Sequence, residues 1–597
     1  MTSELSIAHR VSLPAPKTHL VQVETRIAGP LPRDPVLFMA VWTPGSYLVR
    51  EYARHIEGLH AEAPARATKV RKNAWRIEGH DSESIVVRYR VYANELTVRT
   101  SHVDESHAFL VGAALFLALE GHEHLGARVE FDVPRDWRIF TSLKASGTAF
   151  EAADFDTLVD STIEIGTQRE EHFDVLGKPH RFAFWPARAI NDSDVRRLAD
   201  DTQAILREEA RLFGGELPYD SYEFLFHLSS KSRGGLEHRT SAALLVPRTS
   251  FLTRDGYLDL LSLVAHEVFH AWNVKRIRPA GLVPYRYEQE CYTRLLWWFE
   301  GATSYYDWRI LALARLCTIE EYLDHLASEI AYLDQTPGRL VQPLEDASFD
   351  AWIKLYRPDE NTPNGSVSYY RKGEVVCALL DLALRARRPQ GGTLDAVVSL
   401  LWSEYGARDR AVPEDAMQEI FERVAGEPMG ELFDAWIRSP AEIDYQAVLS
   451  GVGLQIERSP RPDGAPCSLG LRTRADGART IVTSVLRETA AWTAGVDAGD
   501  EIVALGGIRV EGPGVDAILR GRSPGDPIEI VLSRDGLLVT KQATLDPPRV
   551  DRVRLVARLD AAAPSRDAFT AWLGSPHPAW WSTGTSAEGG VVKSRTP

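Results

Sequence analysis

The chain has 597 residues, 44% hydrophobic and 25% charged, which is enough for about three or four domains that each bury a core. Its formal net charge of −15 argues against a nucleic-acid partner, because such partners are bound by clustered positive charge. Neither an export signal nor an apolar run of about 18 residues can be read, and the four cysteines are widely spaced, so we expect a cytoplasmic protein with no membrane partner.

Residues 1–170 are predicted to form an antiparallel β domain. Apolar residues alternate in short runs such as HLVQVETRIAG and SIVVRYRVYA. Pro and Gly separate these runs and indicate turns between strands.

Residues 171–447 are predicted to be mainly helical. The amphipathic run DVRRLADDTQAILREEARLF indicates a first helix, with Asp192 or Ser193 as its N-cap and a Gly-Gly pair at its end. Two strands are then expected at residues 222–228 and 242–247, on either side of the loop SSKSRGGLEHRTS.

The run LLSLVAHEVFHAW contains the pattern H-E-x-x-H at His266, Glu267 and His270. On a helix, residues four apart share a face, so both imidazoles can bind one zinc ion while the glutamate points at its open coordination position. The alternative is a chance match on a buried helix, which would bury three polar groups without partners. The pattern therefore favours a metal site.

The third metal ligand has two candidates, Glu300 and Glu290. Prolines interrupt the chain after the second histidine, so the next helix is predicted to begin around residues 288–292. Glu300 would then lie well inside this helix, in RLLWWFEGATSYYDW, where its position is fixed and its surroundings are apolar. This favours Glu300, with Glu290 near the solvated helix start as the alternative.

Short β runs return in residues 448–548, which we predict to be a separate small domain. Residues 549–597 are predicted to be a tail. Its last twenty or so residues are rich in Ala, Ser, Gly and Pro, which is typical of disorder.

Five motifs in order resemble the glycyl aminopeptidase family of metallopeptidases: WTPGSYLVREYARH, GGLEH, HEVFHAWNVKRIRP, LLWWFEGATSYY and YYRKG. The resemblance extends to about residue 547. It implies a multidomain α+β protein with an N-terminal antiparallel β domain, a thermolysin-like, mainly helical catalytic domain and a C-terminal PDZ domain. It also implies one Zn²⁺ ion on His266, His270 and Glu300, with Glu267 as the general base.

Further site residues follow from the same resemblance. Glu237 in GGLEH matches the glutamate that binds the substrate's free amine in leucyl and alanyl aminopeptidases. Tyr370 in YYRKG matches the tyrosine that stabilises the carbonyl oxygen, with Tyr369 as a rival that should face another way on a helix. Gly234 and Gly235 permit close backbone approach, so we expect an extended peptide to pair along this segment.

The resemblance implies a zinc-dependent aminopeptidase that acts on peptides and removes small N-terminal residues such as Gly or Ala. Residues 468–471 lie where a PDZ domain has its carboxylate-binding loop, so a peptide's C-terminus is the second expected partner. The alternatives are an endopeptidase with the same mechanism, a PDZ domain that only packs on the catalytic domain, and a catalytically weak PDZ peptide-binding scaffold.

Overall fold

The computed structural model describes residues 4–80, 83–230, 232–512 and 514–578, which fold around three hydrophobic cores. One core lies among three β-sheets at the N-terminus, so the prediction of a β-rich N-terminal domain is confirmed. Buried residues alternate along its strands because successive side chains point to opposite faces. From edge to edge, the strands of the seven-stranded sheet are Lys144–Ser146, Ala149–Ala152, Ala127–Asp132, Ser6–Ser12, Leu20–Ala28, Ser84–Tyr92 and Ile56–Ala61.

One strand pair departs from the predicted antiparallel pattern, because Ser6–Ser12 runs parallel to Ala127–Asp132. Parallel neighbours are joined by a long crossover, which local alternation does not reveal. The five-stranded sheet consists of Arg138–Thr141, Thr162–Gly166, His107–Val111, Thr100–Val103 and Asn94–Thr97. The four-stranded sheet consists of Leu117–Leu119, Val36–Met39, Ala74–Glu78 and Arg66–Arg71.

A further five-stranded sheet begins the second part of the chain. Its strands, in order, are Arg169–Val175, Lys178–Trp185, Tyr222–Ser229, Ser241–Pro247 and Gly234–Glu237. Tyr222–Ser229 and Ser241–Pro247 run parallel, and Gly234–Glu237 pairs antiparallel as the edge strand. The helix Asp192–Leu212 packs on this sheet, and its N-cap is Asn191 instead of Asp192 or Ser193. Asn191 is the last extended residue, and its side chain accepts from the Asp194 backbone.

The helical core forms around the predicted metal-binding helix, Arg254–Phe269. The other helices of this part are Leu296–Phe299, Gly301–Leu313, Ile319–Asp334, Leu344–Phe349, Thr362–Gly365, Tyr369–Arg387, Leu394–Glu404, Ala416–Ala425, Gly430–Phe433 and Tyr445–Leu449. In the described residues, none of the helices combines the length and apolarity that a bilayer crossing requires.

A small β domain with its own core follows. Its strands are Leu471–Asp476, Arg479–Val485, Glu501–Leu505, Ile508–Arg509, Pro527–Arg534 and Leu537–Thr544, and its helices are Ala490–Ala494 and Val515–Leu519. The flanking strands Leu454–Ser459 and Arg552–Ala557 pair with each other and contribute to the helical core instead. The helix Ala563–Leu573 also packs there through Trp572, so this part of the segment 549–597 is ordered structure. The predicted disorder falls on residues that lie outside the described ranges.

Candidate active site

His266 and His270 lie at the C-terminal end of the Arg254–Phe269 helix, with their ring centroids 4.7 Å apart. The Thr253 side chain caps the start of this helix by accepting from the Gly256 backbone. The segment is apolar and buried, which fixes the backbone that carries both imidazoles. The two rings therefore face the same region, as the spacing predicts.

Glu300 is the carboxylate that joins them. Its Oε2 lies 3.6 Å from His266 Nε2 and 3.3 Å from His270 Nε2, and the side chain is almost fully buried. Glu290 lies in a loop and belongs to no such cluster within the described ranges. The expected helix start at residues 288–292 is wrong, because the helix begins at Leu296. Glu300 lies at the junction of two helical segments, Leu296–Phe299 and Gly301–Leu313, and not deep inside one.

The donor set fits a tetrahedral zinc ion. Two ligands about 2.0–2.1 Å from such an ion are about 3.3 Å apart, which is close to both measured separations. The Glu300 Oε1 atom is buried and finds no hydrogen-bond partner in the described part of the chain. A buried carboxylate with an unpartnered oxygen needs a cationic partner nearby, and an ion bound through Oε2 would supply one to the group as a whole.

Hydrogen bonds on the far side of each ring leave Nε2 free for a metal. His266 Nδ1 lies 3.1 Å from Asp307 Oδ2, and His270 Nδ1 lies 2.8 Å from the Asn273 carbonyl oxygen. Carboxylates and carbonyls in this position fix the tautomer and the orientation of a metal-binding imidazole. Sequence reasoning missed Asp307. The spacing could have identified it: Asp307 follows Glu300 by two helical turns, so the two side chains lie on the same face of the helix.

Glu267 is buried beside the cluster, and its Oε2 has no hydrogen-bond partner among the residues described. Burial raises the pKa of Glu267 to about 7, against the opposing effect of His266. The strand Gly234–Glu237 passes so close that a Cβ atom on Gly235 would lie 1.7 Å from Glu267 Oε1. Any larger residue at this position would force the Glu267 carboxylate to move. Gly234 faces the other way, with Val98 and Arg99 nearest to it.

Glu237 ends the same edge strand and is 3% exposed. Its Oε1 is buried without a hydrogen-bond partner within the described ranges. A loop of the N-terminal β domain covers this carboxylate: a Cβ on Gly45 (φ +87°) would lie 2.5 Å from both of its oxygens. The loop belongs to the segment WTPGSYLVREYARH, and sequence reasoning gave it no role in the site.

Tyr370 lies in the first turn of the Tyr369–Arg387 helix, with its ring centroid 6.3 Å from that of His266. Close packing of two helices brings it there, because a Cβ on Gly301 would lie 2.5 Å from the Cα of Gly373. Burial and the nearby Glu300 carboxylate raise the pKa of Tyr370, which keeps its hydroxyl protonated.

The rings of Tyr369 and Tyr370 stack 4.7 Å apart, so the expectation that they face different ways is wrong. Both residues lie in the first helical turn, directly after the extended Ser368. They differ in exposure: Tyr369 is fully buried, whereas Tyr370 is partly accessible and lies 3.2 Å, hydroxyl to hydroxyl, from Tyr356. The accessible tyrosine is therefore the better placed to meet a substrate.

Comparison with known protein families gives two matches. Residues 8–167 match the Peptidase M61 N-terminal domain, and residues 259–376 match M61 glycyl aminopeptidase. The second match includes the two histidines, the two candidates for the third metal ligand (Glu290 and Glu300) and Tyr370. A comparison with curated protein sequences found no match.

Comparison with solved structures shows the same fold over nearly the whole chain. An aminopeptidase N family protein from Idiomarina loihiensis is 29% identical, with a TM-score of 0.89, over 96% of this chain and 100% of that one. An M1 zinc metallopeptidase from Deinococcus radiodurans is 13% identical (TM-score 0.46; 74% and 94% of the two chains). Native yeast LTA4 hydrolase is 12% identical (TM-score 0.45; 75% and 71%). The last two similarities are too low to bear on the site.

Proposed function

We propose that the protein is a zinc-dependent aminopeptidase that releases small N-terminal residues such as Gly or Ala. The N-terminal domain and the catalytic segment belong to the M61 glycyl aminopeptidase family, which makes this chain a peptidase. One observation carries the proposal. A buried carboxylate without a hydrogen-bond partner among the described residues, Glu237, lies on the strand that also contacts Glu267. The family name supports the preference for small residues.

His266, His270 and Glu300 would hold one zinc ion through Nε2, Nε2 and Oε2. When bound, zinc supplies a Lewis acid that polarises the scissile carbonyl and makes water more acidic. Glu267 takes the proton of the attacking water and later gives it to the leaving amine, a role that suits a buried carboxylate with a pKa near neutrality. Tyr370 donates its hydroxyl proton in a hydrogen bond to the carbonyl oxygen as negative charge develops there.

Glu237 would select for a free N-terminus. A substrate ammonium group gives this buried carboxylate the charged partner that a buried charge needs. The backbone at Gly45 lies against this carboxylate, so a loop of the N-terminal β domain covers the residue that would bind the amine. These two features favour an aminopeptidase over an endopeptidase with the same zinc chemistry.

For the small C-terminal domain we propose a PDZ fold that takes a peptide's C-terminal carboxylate at residues 468–471. A cavity of about 290 Å³ lies between this loop and the Val515–Leu519 helix, and Arg461 and Arg549 line it. Arginine guanidinium groups suit a carboxylate, which they can bind through paired hydrogen bonds. The competing role, packing on the catalytic domain, has support from Asn364, which hydrogen-bonds the backbone of Val485. Four free, buried cysteines support the expected cytoplasmic location.

Acetylation of the substrate tests the proposed specificity. Peptides with N-terminal Gly or Ala should be cleaved with a free amine and not after N-acetylation, because the acetyl group removes the charge that Glu237 binds. Glu237→Gln should lose most activity on free-amine peptides while it keeps zinc. Equal cleavage of free and acetylated peptides would favour the endopeptidase.

A second variant separates the base from the metal ligands. Glu267→Gln should retain zinc but lose nearly all turnover, because the ligands remain while the proton acceptor is gone. Metal content by mass spectrometry and kcat by peptide assay measure the two effects. A Glu267→Gln protein with normal kcat would overturn the mechanism. A wild-type protein that binds zinc but cleaves no peptide would favour the PDZ scaffold.

A further inference from the structure

A second group of metal-type side chains lies in the N-terminal β domain, on the hairpin formed by the strands Thr100–Val103 and His107–Val111. The hairpin sequence HVDESH places His102, Asp104 and His107 at close spacing. One donor atom from each residue lies within 4.8 Å of the other two. Two imidazoles and a carboxylate form the same type of donor set as the site at the catalytic helix.

His107 is fully buried and already oriented in the way that a metal-binding histidine is. Its Nδ1 lies 2.7 Å from Glu164 Oε1, and the Trp185 ring stacks on it at 3.6 Å. A buried carboxylate on Nδ1 fixes the orientation of the ring and leaves Nε2 available to another partner. This Nε2 is buried and has no hydrogen-bond partner in the described residues.

His102 and Asp104 complete the group. The rings of His102 and His107 are 5.2 Å apart, and His102 Nε2 lies 3.5 Å from Asp104 Oδ2. Asp104 Oδ1 accepts hydrogen bonds from Ser106 and His107 backbone groups, which holds the carboxylate in place and leaves Oδ2 for another partner. Asp104 is 31% exposed, so an ion can reach the group from solvent.

We propose that His102, Asp104 and His107 bind a second divalent transition metal of the zinc type. Imidazole and carboxylate ligands suit such ions, and the separation of 3.5 Å is close to the value of about 3.3 Å expected between two zinc ligands. An ion between His107, Glu164 and His227 fits less well. Those atoms are already joined by hydrogen bonds of 2.7 and 3.0 Å, which are too short for an intervening metal.

The position of this site gives it a structural role. Glu164 lies on the strand Thr162–Gly166 of the N-terminal domain and also accepts from His227 Nε2, on the strand Tyr222–Ser229 of the next sheet. A metal on His107 would therefore fix one end of a hydrogen-bonded chain that crosses between the two parts of the protein. Its binding should stabilise the fold without taking part in peptide cleavage.

Metal counting on the untagged full-length chain tests the proposal. After loading with Zn²⁺ and removal of loosely bound ions, the wild type should hold two zinc ions per chain. His102→Ala should hold one and keep its peptidase activity, because the residue does not contact the catalytic cluster. His270→Ala should also hold one, and the double variant none. His60→Ala, an exposed histidine of the same domain, is the control and should hold two.

The His270→Ala variant keeps the test decisive if His102→Ala fails to fold. With the catalytic cluster disabled, the remaining zinc should raise the thermal midpoint of this variant, and chelation should reverse the rise. A His270→Ala chain that binds no zinc would overturn the proposal, as would a folded His102→Ala chain that still binds two ions. Neither result bears on the catalytic assignment, which the Glu237→Gln and Glu267→Gln variants test separately.

Discussion

Gly235→Ala gives the most direct test of how the edge strand supports catalysis. The added Cβ would lie 1.7 Å from Glu267 Oε1 and 2.3 Å from its Cδ, whereas real contacts of this kind are not closer than 3.0 Å. The carboxylate must therefore move by about 1.3 Å, and a displacement of about 1 Å at a reacting group can cost on the order of a hundredfold in rate. We expect kcat to fall by about that factor, which is about 2.7 kcal/mol of transition-state stabilisation.

The adjacent residue supplies a matched control. A Cβ on Gly234 would have only ordinary contacts, 3.7 Å from Arg99 Nη1 and 3.9 Å from Val98 Cγ2, so Gly234→Ala should change kcat by less than about threefold. Both variants should keep zinc, since neither change touches a ligand. Steady-state kinetics on a free-amine Gly or Ala peptide, with metal content measured in parallel, distinguishes them. A Gly235→Ala enzyme with near-normal kcat would refute the assignment of Glu267 as the base held at this distance.

Three other changes test separate parts of the structure. Asp307→Ala should weaken zinc binding or lower kcat/KM by about 10–100-fold, because His266 loses the carboxylate that orients its ring. An unchanged zinc affinity in a chelator competition, together with an unchanged kcat/KM, would contradict this role. Gly45→Ala should raise KM for free-amine peptides at constant zinc content, because its Cβ would collide with the Glu237 carboxylate. An unaltered KM would contradict the role of Glu237 in binding the substrate amine. Asp160→Asn should lower the free energy of unfolding by about 3 kcal/mol, because Lys275 remains buried without its counter-ion. Equal stability of the variant and the wild type in urea at pH 7 would contradict this prediction.

The last of these changes also predicts a pH dependence. Burial alone would raise the pKa of Asp160, but the Lys275 ammonium and the His238 hydrogen bond hold it well below its usual range. A carboxyl with a depressed pKa stabilises the folded state above its unfolded pKa of about 3.9, and this contribution is lost as the pH falls toward the folded value. The stability difference between wild type and Asp160→Asn should therefore be full at pH 7 and shrink below about pH 4.

The sequence alone determined the features that depend on neighbouring residues. Alternating apolar runs indicated the N-terminal β-rich domain, and the H-E-x-x-H pattern placed two imidazoles and a glutamate on one helix, because helices and strands have fixed periods over a few residues. The apolar surroundings of Glu300 also separated it from Glu290. Its role as a zinc ligand stays a prediction, although the structure brings it to the histidines.

Only the tertiary structure decided which distant segments meet. The contact of Gly45 with Glu237 and the approach of Gly235 to Glu267 each depend on how whole elements pack. The ordered helix Ala563–Leu573 likewise reads as part of a tail until Trp572 is seen in the helical core. Such contacts join residues far apart in the chain, and their geometry is set by the filling of the core, which no local pattern of residues encodes.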